Sequence, residues 1–469
     1  MTSQPIELLV SVARDGRTTM RAQIEDQLRT AIRIGTLKRG ARLPSTRDLA
    51  RQVGVSRPIV VSAYAQLSAE GYLKLHQGAR PRVSDCVREW SVPSLGTAPA
   101  APAPRFEFRP SLPDLTAFPR STWLRCLRDG LAKMRDADLG YSDPHGSEVL
   151  RVALTEYLGR VRGVVTDPGR VIVTSGFAQA RTLVCRALAA TGVTRVAVED
   201  PSHSELWDSV IPAGLTMVPI PVDDAGMRVD LLARSKAEAV FVTPAHQHPS
   251  GAVMAGERRA DLLAWLRDRD AIAIEDDYDA EYRYDRAPVG VLQSLDPERI
   301  VYGGTTSKTL APALRIGWIV VPPRLLGPVK AQQLLADYGG PRIEQHGFAE
   351  FLVRGELDRH LRRMRSRYRS RRDALVDALR RFLPEARICG IAAGLHGTVR
   401  LPDGDDELAI RDEAARRGIS LTAMSDHQLR RRGGPPTLLI GYAGTPEPAI
   451  RAGVRELAAA IRQVRRRSA

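Results

Sequence analysis

The chain has 469 residues, 43% of them hydrophobic, enough for two or three globular cores rather than one. No apolar run approaches the ~20 residues that span a bilayer; no signal-like segment opens the chain; and Cys86, Cys126, Cys185 and Cys389 lack the spacing of a zinc site or a disulfide framework. A membrane protein, a metal site and a disulfide scaffold are excluded on this reading, a cytoplasmic protein is expected, and the net charge of +15 favours a polyanionic partner.

The charge is unevenly spread. Residues 1–85 hold fourteen Lys and Arg against seven Asp and Glu, so +7 of the +15 lies in less than a fifth of the chain. That end is the candidate nucleic-acid face. From Met20 to about Ile34, the apolar residues Ile24, Leu28, Ala31 and Ile32 fall on one helical stripe, which Gly35 and Gly40 close. The stretch LPSTRDLARQVGVSRPIVVSAYAQLSAEGYL reads as two short helices divided by a turn at Gly54 and a Ser56 cap, the second running through Leu67. This is helix-turn-helix spacing. After Gly71, the residues Tyr72, Leu73, Leu75 and Val83 flank a glycine turn and predict a two-stranded wing, completing a winged domain over residues 1–85.

Residues 86–113 include VPSLGTAPAAPAPRFEFRP, poor in branched apolar side chains, and predict a flexible tether. In residues 114–469, short apolar runs such as RVIVTSG, RVAVED, AVFVTP, AIAIEDD and RIVYGG alternate with helical stretches such as AQARTLVCRALAA and RRADLLAWLRDR. Such alternation predicts a mainly parallel α/β sheet. The arginine-rich run Arg359 to Arg372 reads as one exposed helix face, with auxiliary contact to DNA backbone as the sharper alternative.

Two motifs carry chemistry. EDDYD, Glu275 to Asp279, and the later GGTTSKTLAPALRIGW both sit at strand exits, where open α/β sheets place ligands. Pyridoxal phosphate chemistry needs an amine for a Schiff base, an anion against the pyridine nitrogen and donors around the phosphate. Lys308 offers the amine; Thr305, Thr306 and Ser307 are small hydroxyls beside it; Arg315 supplies a bidentate clamp. Each is unremarkable singly, since a lone lysine is usually a surface residue and EDDYD alone could be a solvated acidic turn. Their order along successive strand ends is what points to a cofactor.

Residues 17–84 resemble the GntR class of winged-helix regulators, through LPSTRDLA, VSRPIVVSAYAQL and EGYL. The resemblance implies contact with a double-stranded DNA operator at Ser45, Arg47, Ser56 and Arg57, with His76, Gln77 and Gly78 at the wing tip. Pro58 and Ile59 stand where the class has a polar pair, which removes base-reading groups. The remainder resembles fold type I aminotransferases, and the whole arrangement resembles the MocR regulators over almost its full length. This implies an α/β aminotransferase-like large domain, a small C-terminal α+β domain and an N-terminal winged helix-turn-helix. It further implies that Asp276 pairs with the pyridinium, Tyr278 bonds the ring hydroxyl and Lys308 forms the internal aldimine. Ser175, Gly176 and Phe177 of VTSGFAQA cradle the phosphate with Thr305, Ser307 and Arg315. His203 stacks on the ring, His246 lies beside its hydroxyl, and Tyr141 reaches the neighbouring subunit of a homodimer with swapped domains.

Two departures bear on function. His203 replaces a tyrosine, and TLLIGYAG offers Leu438, Leu439 and Ile440 where aminotransferases carry a carboxylate-clamping arginine. The reading is therefore a ligand-gated regulator with pyridoxal phosphate as effector, joined by a small amino compound, controlling vitamin B6 supply, with at most residual transaminase activity. The alternative is an aminotransferase with an appended DNA-binding domain. A degenerate body that only dimerises would have kept fewer cofactor contacts.

Overall fold

The structure is a computed structural model that describes residues 10–14, 18–85, 103–141, 143–279, 281–284, 289–390, 393–429 and 434–468. The chain divides into two compact units, Met1–Pro102 and Ala103–Ala469.

In the first unit, helices Met20–Arg33, Thr46–Val53 and Arg57–Ala69 precede a two-stranded ladder of Leu73–Lys74 and Arg82–Val83. The predicted stripe is the core: Ile24, Leu28 and Ile32 pack with Leu49, Val60, Tyr64, Leu67, Leu73 and Val83. Thr19 and Ser45 cap the first two helices by accepting from Ala22 N and Asp48 N. Gly54 supplies the left-handed residue that ends the second helix and turns the chain into the third. Ser56 occupies the N-cap position of the third helix, yet its hydroxyl makes no capping bond; Pro58 lacks an N–H, and that of Ile59 goes to the Ser56 carbonyl. Tyr64 donates from the third helix to the Pro44 carbonyl at 3.0 Å, and Arg29 pairs with Glu70, so all three helices are cross-braced.

The second unit is built on an eight-stranded sheet. In spatial order it holds Val171–Thr174, Gly317–Val320, Ile300–Thr305, Ile272–Asp276, Ala239–Val242, Arg195–Asp200, Thr216–Asp223 and Gly226–Met227. The five central strands from Ile300–Thr305 to Thr216–Asp223 run parallel, while Gly317–Val320 is antiparallel to both its neighbours. Their near-continuous Val, Ile and Ala content reflects burial on both faces. A smaller antiparallel sheet of Arg387–Cys389, His396–Arg400, Thr437–Gly441 and Thr422–Ala423 lies with helices Glu356–Phe382, Glu407–Arg416 and Glu447–Ser468. Among the described residues no helix is long and apolar enough to cross a membrane.

Two sequence expectations need correction. The predicted tether does not extend to residue 113: Phe106–Glu107 pairs in parallel with Ile419–Ser420, and Phe108 is fully buried. Phe108 accepts from Gly441 N at 2.8 Å and its ring lies so close to Gly453 that a Cβ there would clash. The residues of the tether expectation from 86 to 102 lie outside the described ones. The arginine run is not one solvated face either. Arg371 is buried on Asp114, Arg367 shares that carboxylate, and Arg365 donates to the Glu281 carbonyl, while Arg362 and Arg363 stay exposed.

Candidate functional site

Arg47, Ser56 and Arg57 are exposed near the adjoining ends of the second and third helices, and Arg57 Nε lies 3.4 Å from Thr46 Oγ1. Ser45 is engaged differently, since its hydroxyl both caps Asp48 N and donates to Asp48 Oδ2 at 2.7 Å. This bond holds the Asp48 carboxyl below its ordinary range, helped by the charges of Arg80 and Arg51. Arg80, not foreseen from the sequence, thus brings a wing cation close to the second helix. His76, Gln77 and Gly78 are exposed at the wing tip, where Gly78 adopts φ +79°.

In the second unit the candidate residues converge at the carboxyl ends of the parallel strands. The adjacent acids of EDDYD part company there. Asp277 forms a buried pair with Arg162 at 2.8 Å and accepts from Tyr302 at 2.8 Å. Asp276 instead lines a pocket, and its buried Oδ1 has no hydrogen-bond partner. Burial pushes its pKa up to about 7, opposed mainly by the charge of Arg181. Lys308 makes no ion pair among the described residues, and burial lowers its pKa against the pull of Glu205, Asp276 and Asp279.

The phosphate-end residues also gather. Gly176, at φ +95°, caps helix Phe177–Ala190, and a Cβ on it would meet both terminal nitrogens of Arg315 at 3.1 Å. Arg315 is itself in the left-handed region at φ +50°, a strained conformation for a non-glycine residue. Ser175 Oγ lies 3.3 Å from Asp337, and Thr305 Oγ1 lies 3.0 Å from Ser307 Oγ. Thr306 does not join them, because its fully buried hydroxyl donates to the Ile316 carbonyl.

The histidines differ most from expectation. The His203 ring lies parallel to that of His248 at 3.6 Å, so one of its faces is already covered. His246 stands behind Tyr278: its Nδ1 lies 3.0 Å from Asp279 and 3.1 Å from the Tyr278 hydroxyl. Burial would depress the His246 pKa, yet the Asp279 charge and hydrogen bond raise it overall. His248, His396, Arg181 and Glu199 escaped the sequence reading; the alternation in AHQHPSG was the available signal for His248. Tyr141 is 96% exposed, its ring 5.8 Å from that of Tyr338. Leu438, Leu439 and Ile440 are fully buried, so the late strand presents no cation.

Residues 116–444 match the family described as aminotransferase class I and II, and residues 20–83 match bacterial regulatory proteins of the gntR family. The chain is 33% identical to a probable rhizopine catabolism regulatory protein, MocR, of Rhizobium meliloti, covering 96% of this chain and 95% of that protein. It is 31% identical to the pyridoxine biosynthesis transcriptional regulator PdxR of Corynebacterium glutamicum, covering 95% and 96% respectively. Among solved structures, a multiple substrate aminotransferase of Thermococcus profundus superposes with a TM-score of 0.71 at 27% identity, covering 77% of this chain and 92% of that one. A kynurenine aminotransferase of Pyrococcus horikoshii, solved with PMP, gives 0.70 at 28% identity, covering 76% and 91%. Pyridoxal 5′-phosphate is the cofactor that this aminotransferase family implies. The chain belongs to the MocR-type transcription regulators, in which a gntR-family winged helix-turn-helix is joined to an aminotransferase class I and II body.

Proposed function

We propose that the body is the receptor of this regulator, holding pyridoxal phosphate on Lys308 and passing its occupancy to the DNA-reading unit in the cytoplasm. The observation that carries this is a buried, unpartnered Asp276 oxygen within electrostatic reach of a half-buried Lys308 amine that lacks an ion pair among the described residues. A pyridinium nitrogen fits the first and an aldehyde carbon the second. Gly176, Ser175 and the backbone at Phe177 with Arg315 form a cradle suited to a dianion at a helix N-terminus. Tyr278, backed by His246 and Asp279, holds a hydroxyl toward the ring oxygen. Thr305 and Ser307 order the loop before Lys308, and His203 offers its uncovered face to the ring.

When bound, the cofactor supplies an electrophilic carbonyl for capture of amines. The protein's part is to bind it, keep Lys308 poised for deprotonation by burial, and change the body's conformational balance, which requires unequal affinity in the two states. The similarity to a pyridoxine biosynthesis regulator supports vitamin B6 supply genes as the target. The exposed Tyr141 beside exposed Leu139, Tyr338 and Leu335 supports a homodimer with exchanged domains, in which a second copy covers this surface. Arg47, Ser56, Arg57 and the wing tip at His76, Gln77 and Gly78 then contact DNA, as does Ser45 through its backbone.

Titration of the full-length protein with pyridoxal phosphate gives a visible absorption band that Lys308→Ala abolishes, and changes affinity for the protein's own promoter DNA. A wild type without the band overturns the reading. Retention of Asp276, Tyr278 and Lys308 favours a second reading, an aminotransferase with a DNA-binding appendage; efficient multiple turnover with amino donors would establish it.

A further inference from the structure

Four of the nine histidines, His203, His248, His396 and His427, come together although they lie between positions 203 and 427 of the chain. His248 is at the centre: it stacks on His203 at 3.6 Å and meets the rings of His396 and His427 edge-on at 5.2 and 5.1 Å. His203 and His248 come from the loops after strands Arg195–Asp200 and Ala239–Val242, His396 from the first position of a small-sheet strand, and His427 from the turn Met424–His427. His248 is 2% and His396 1% exposed, and both ring nitrogens of His248, His396 and His427 lack a hydrogen-bond partner. The carbonyls of Pro249 and Ser202 stand near His396 and His427 without meeting hydrogen-bond geometry. Buried polar atoms left in this state each cost on the order of a hydrogen bond or more, so their arrangement makes sense around a polar ligand.

The chemistry of that ligand follows from what surrounds the cluster. The cations Lys308, in the turn after strand Ile300–Thr305, and Arg181, on helix Phe177–Ala190, act on it. Glu205 and Asp426 face it from its rim, Asp276, Asp279 and Tyr278 from the EDDYD strand end, and His246 from beside His396. Burial, together with the charges of Lys308 and of one another, holds His203 and His248 well below the ordinary imidazole value and His396 down to about 3. Neutral rings each donate one N–H. A negative charge set among them removes the mutual repulsion and draws in a proton. With Lys308 and Arg181 acting on N–H-donating rings, the surroundings suit an anion. The neighbouring strand, with Leu438 to Ile440, supplies no guanidinium for such an anion.

We propose that His248, His396 and His427, flanked by His203, form a subsite for the carboxylate of an amino compound, taken up together with a proton. This rests on the receptor reading above, since Lys308 marks where the amine end of that compound goes. The effector class is thereby an amino acid rather than a simple amine, and its capture strengthens as the medium acidifies.

The test is isothermal titration calorimetry on the full-length, cofactor-loaded protein with the proteinogenic amino acids and β-alanine. The strongest binder is compared with its decarboxylated amine in two buffers of different ionisation enthalpy. The amino acid takes up more proton than the amine, and its affinity relative to the amine falls toward tenfold per pH unit between about pH 4 and about pH 6. His248→Asn removes the extra proton and the slope while operator binding, the control for folding, persists; His396→Gln is the second variant, and the wild-type proton count decides by itself. No binding by any amino acid, or binding without the extra proton, overturns the subsite. Loss of the Lys308-dependent band would instead overturn the receptor reading, and the calorimetry, which does not use that band, still reports on the carboxylate.

Discussion

Asp276 and Asp277 are neighbours in sequence with opposite tasks, and replacing each by asparagine separates them. In the cofactor-free protein the Asp276 carboxyl rises from its ordinary 3.8 to about 7, which converts to about 4 kcal/mol of lost stability at neutral pH were it fully enclosed. Part of the residue remains accessible, which brings the expectation to about 2–4 kcal/mol. Because the folded value lies above the unfolded one, the group costs nothing where both states are protonated and destabilises progressively as pH rises through the interval. Asp276→Asn therefore stabilises the cofactor-free protein by about 2–4 kcal/mol at about pH 8, with the gain vanishing near pH 4, while weakening cofactor binding. Asp277→Asn leaves Arg162 buried without its partner and costs about 3–5 kcal/mol. Four of the five tryptophans lie in the second unit and residues 1–85 have none, so in a Trp90→Phe background tryptophan fluorescence during urea denaturation follows the body. Equal stability of wild type and Asp276→Asn at about pH 8, or a difference that ignores pH, would refute the reasoning.

Other outcomes follow from the same geometry. Arg57→Ala weakens operator binding and lowers the slope of log affinity against log salt by about one, measured by fluorescence anisotropy across a salt series. Phe108→Ala removes a fully buried ring and destabilises the body by about 3–5 kcal/mol in the same denaturation assay, which a flexible tether would not show. Gly176→Ala places a methyl 3.1 Å from the Arg315 guanidinium at φ +95° and lowers pyridoxal phosphate affinity more than tenfold by spectroscopic titration, whereas a site elsewhere leaves it unchanged.

The layered architecture was legible because its signals are local. Runs such as AVFVTP and AIAIEDD are apolar over the length of one strand, and the stripe at Ile24, Leu28 and Ile32 repeats with helical period. The residues around Lys308 were legible through motif order. What remained hidden depends on distant partners or on direction. Nothing local says that Phe106–Glu107 finds Ile419–Ser420, more than 300 residues away, so FEF between prolines reads as linker. The family resemblance named Asp276; why Asp277 is not the one is visible only in the fold, where Arg162 and Tyr302 claim it. Isolated histidines such as His396 and His427 carry no spacing signal, and only the fold assembles them around His248.

The parallel pairing of Phe106–Glu107 with Ile419–Ser420 has a mechanical side. The start of the second unit is stitched into a two-stranded sheet of its own, just before Thr422–Ala423 of the smaller sheet, and Phe108 ties that stitch to Gly441 and lies against Gly453. His396 begins a strand of the same smaller sheet, two strands from the stitch's neighbour Thr422–Ala423. A ligand held by those imidazoles therefore bears on the strand pair, His396 opposite Gly441, to which Phe108 is bonded.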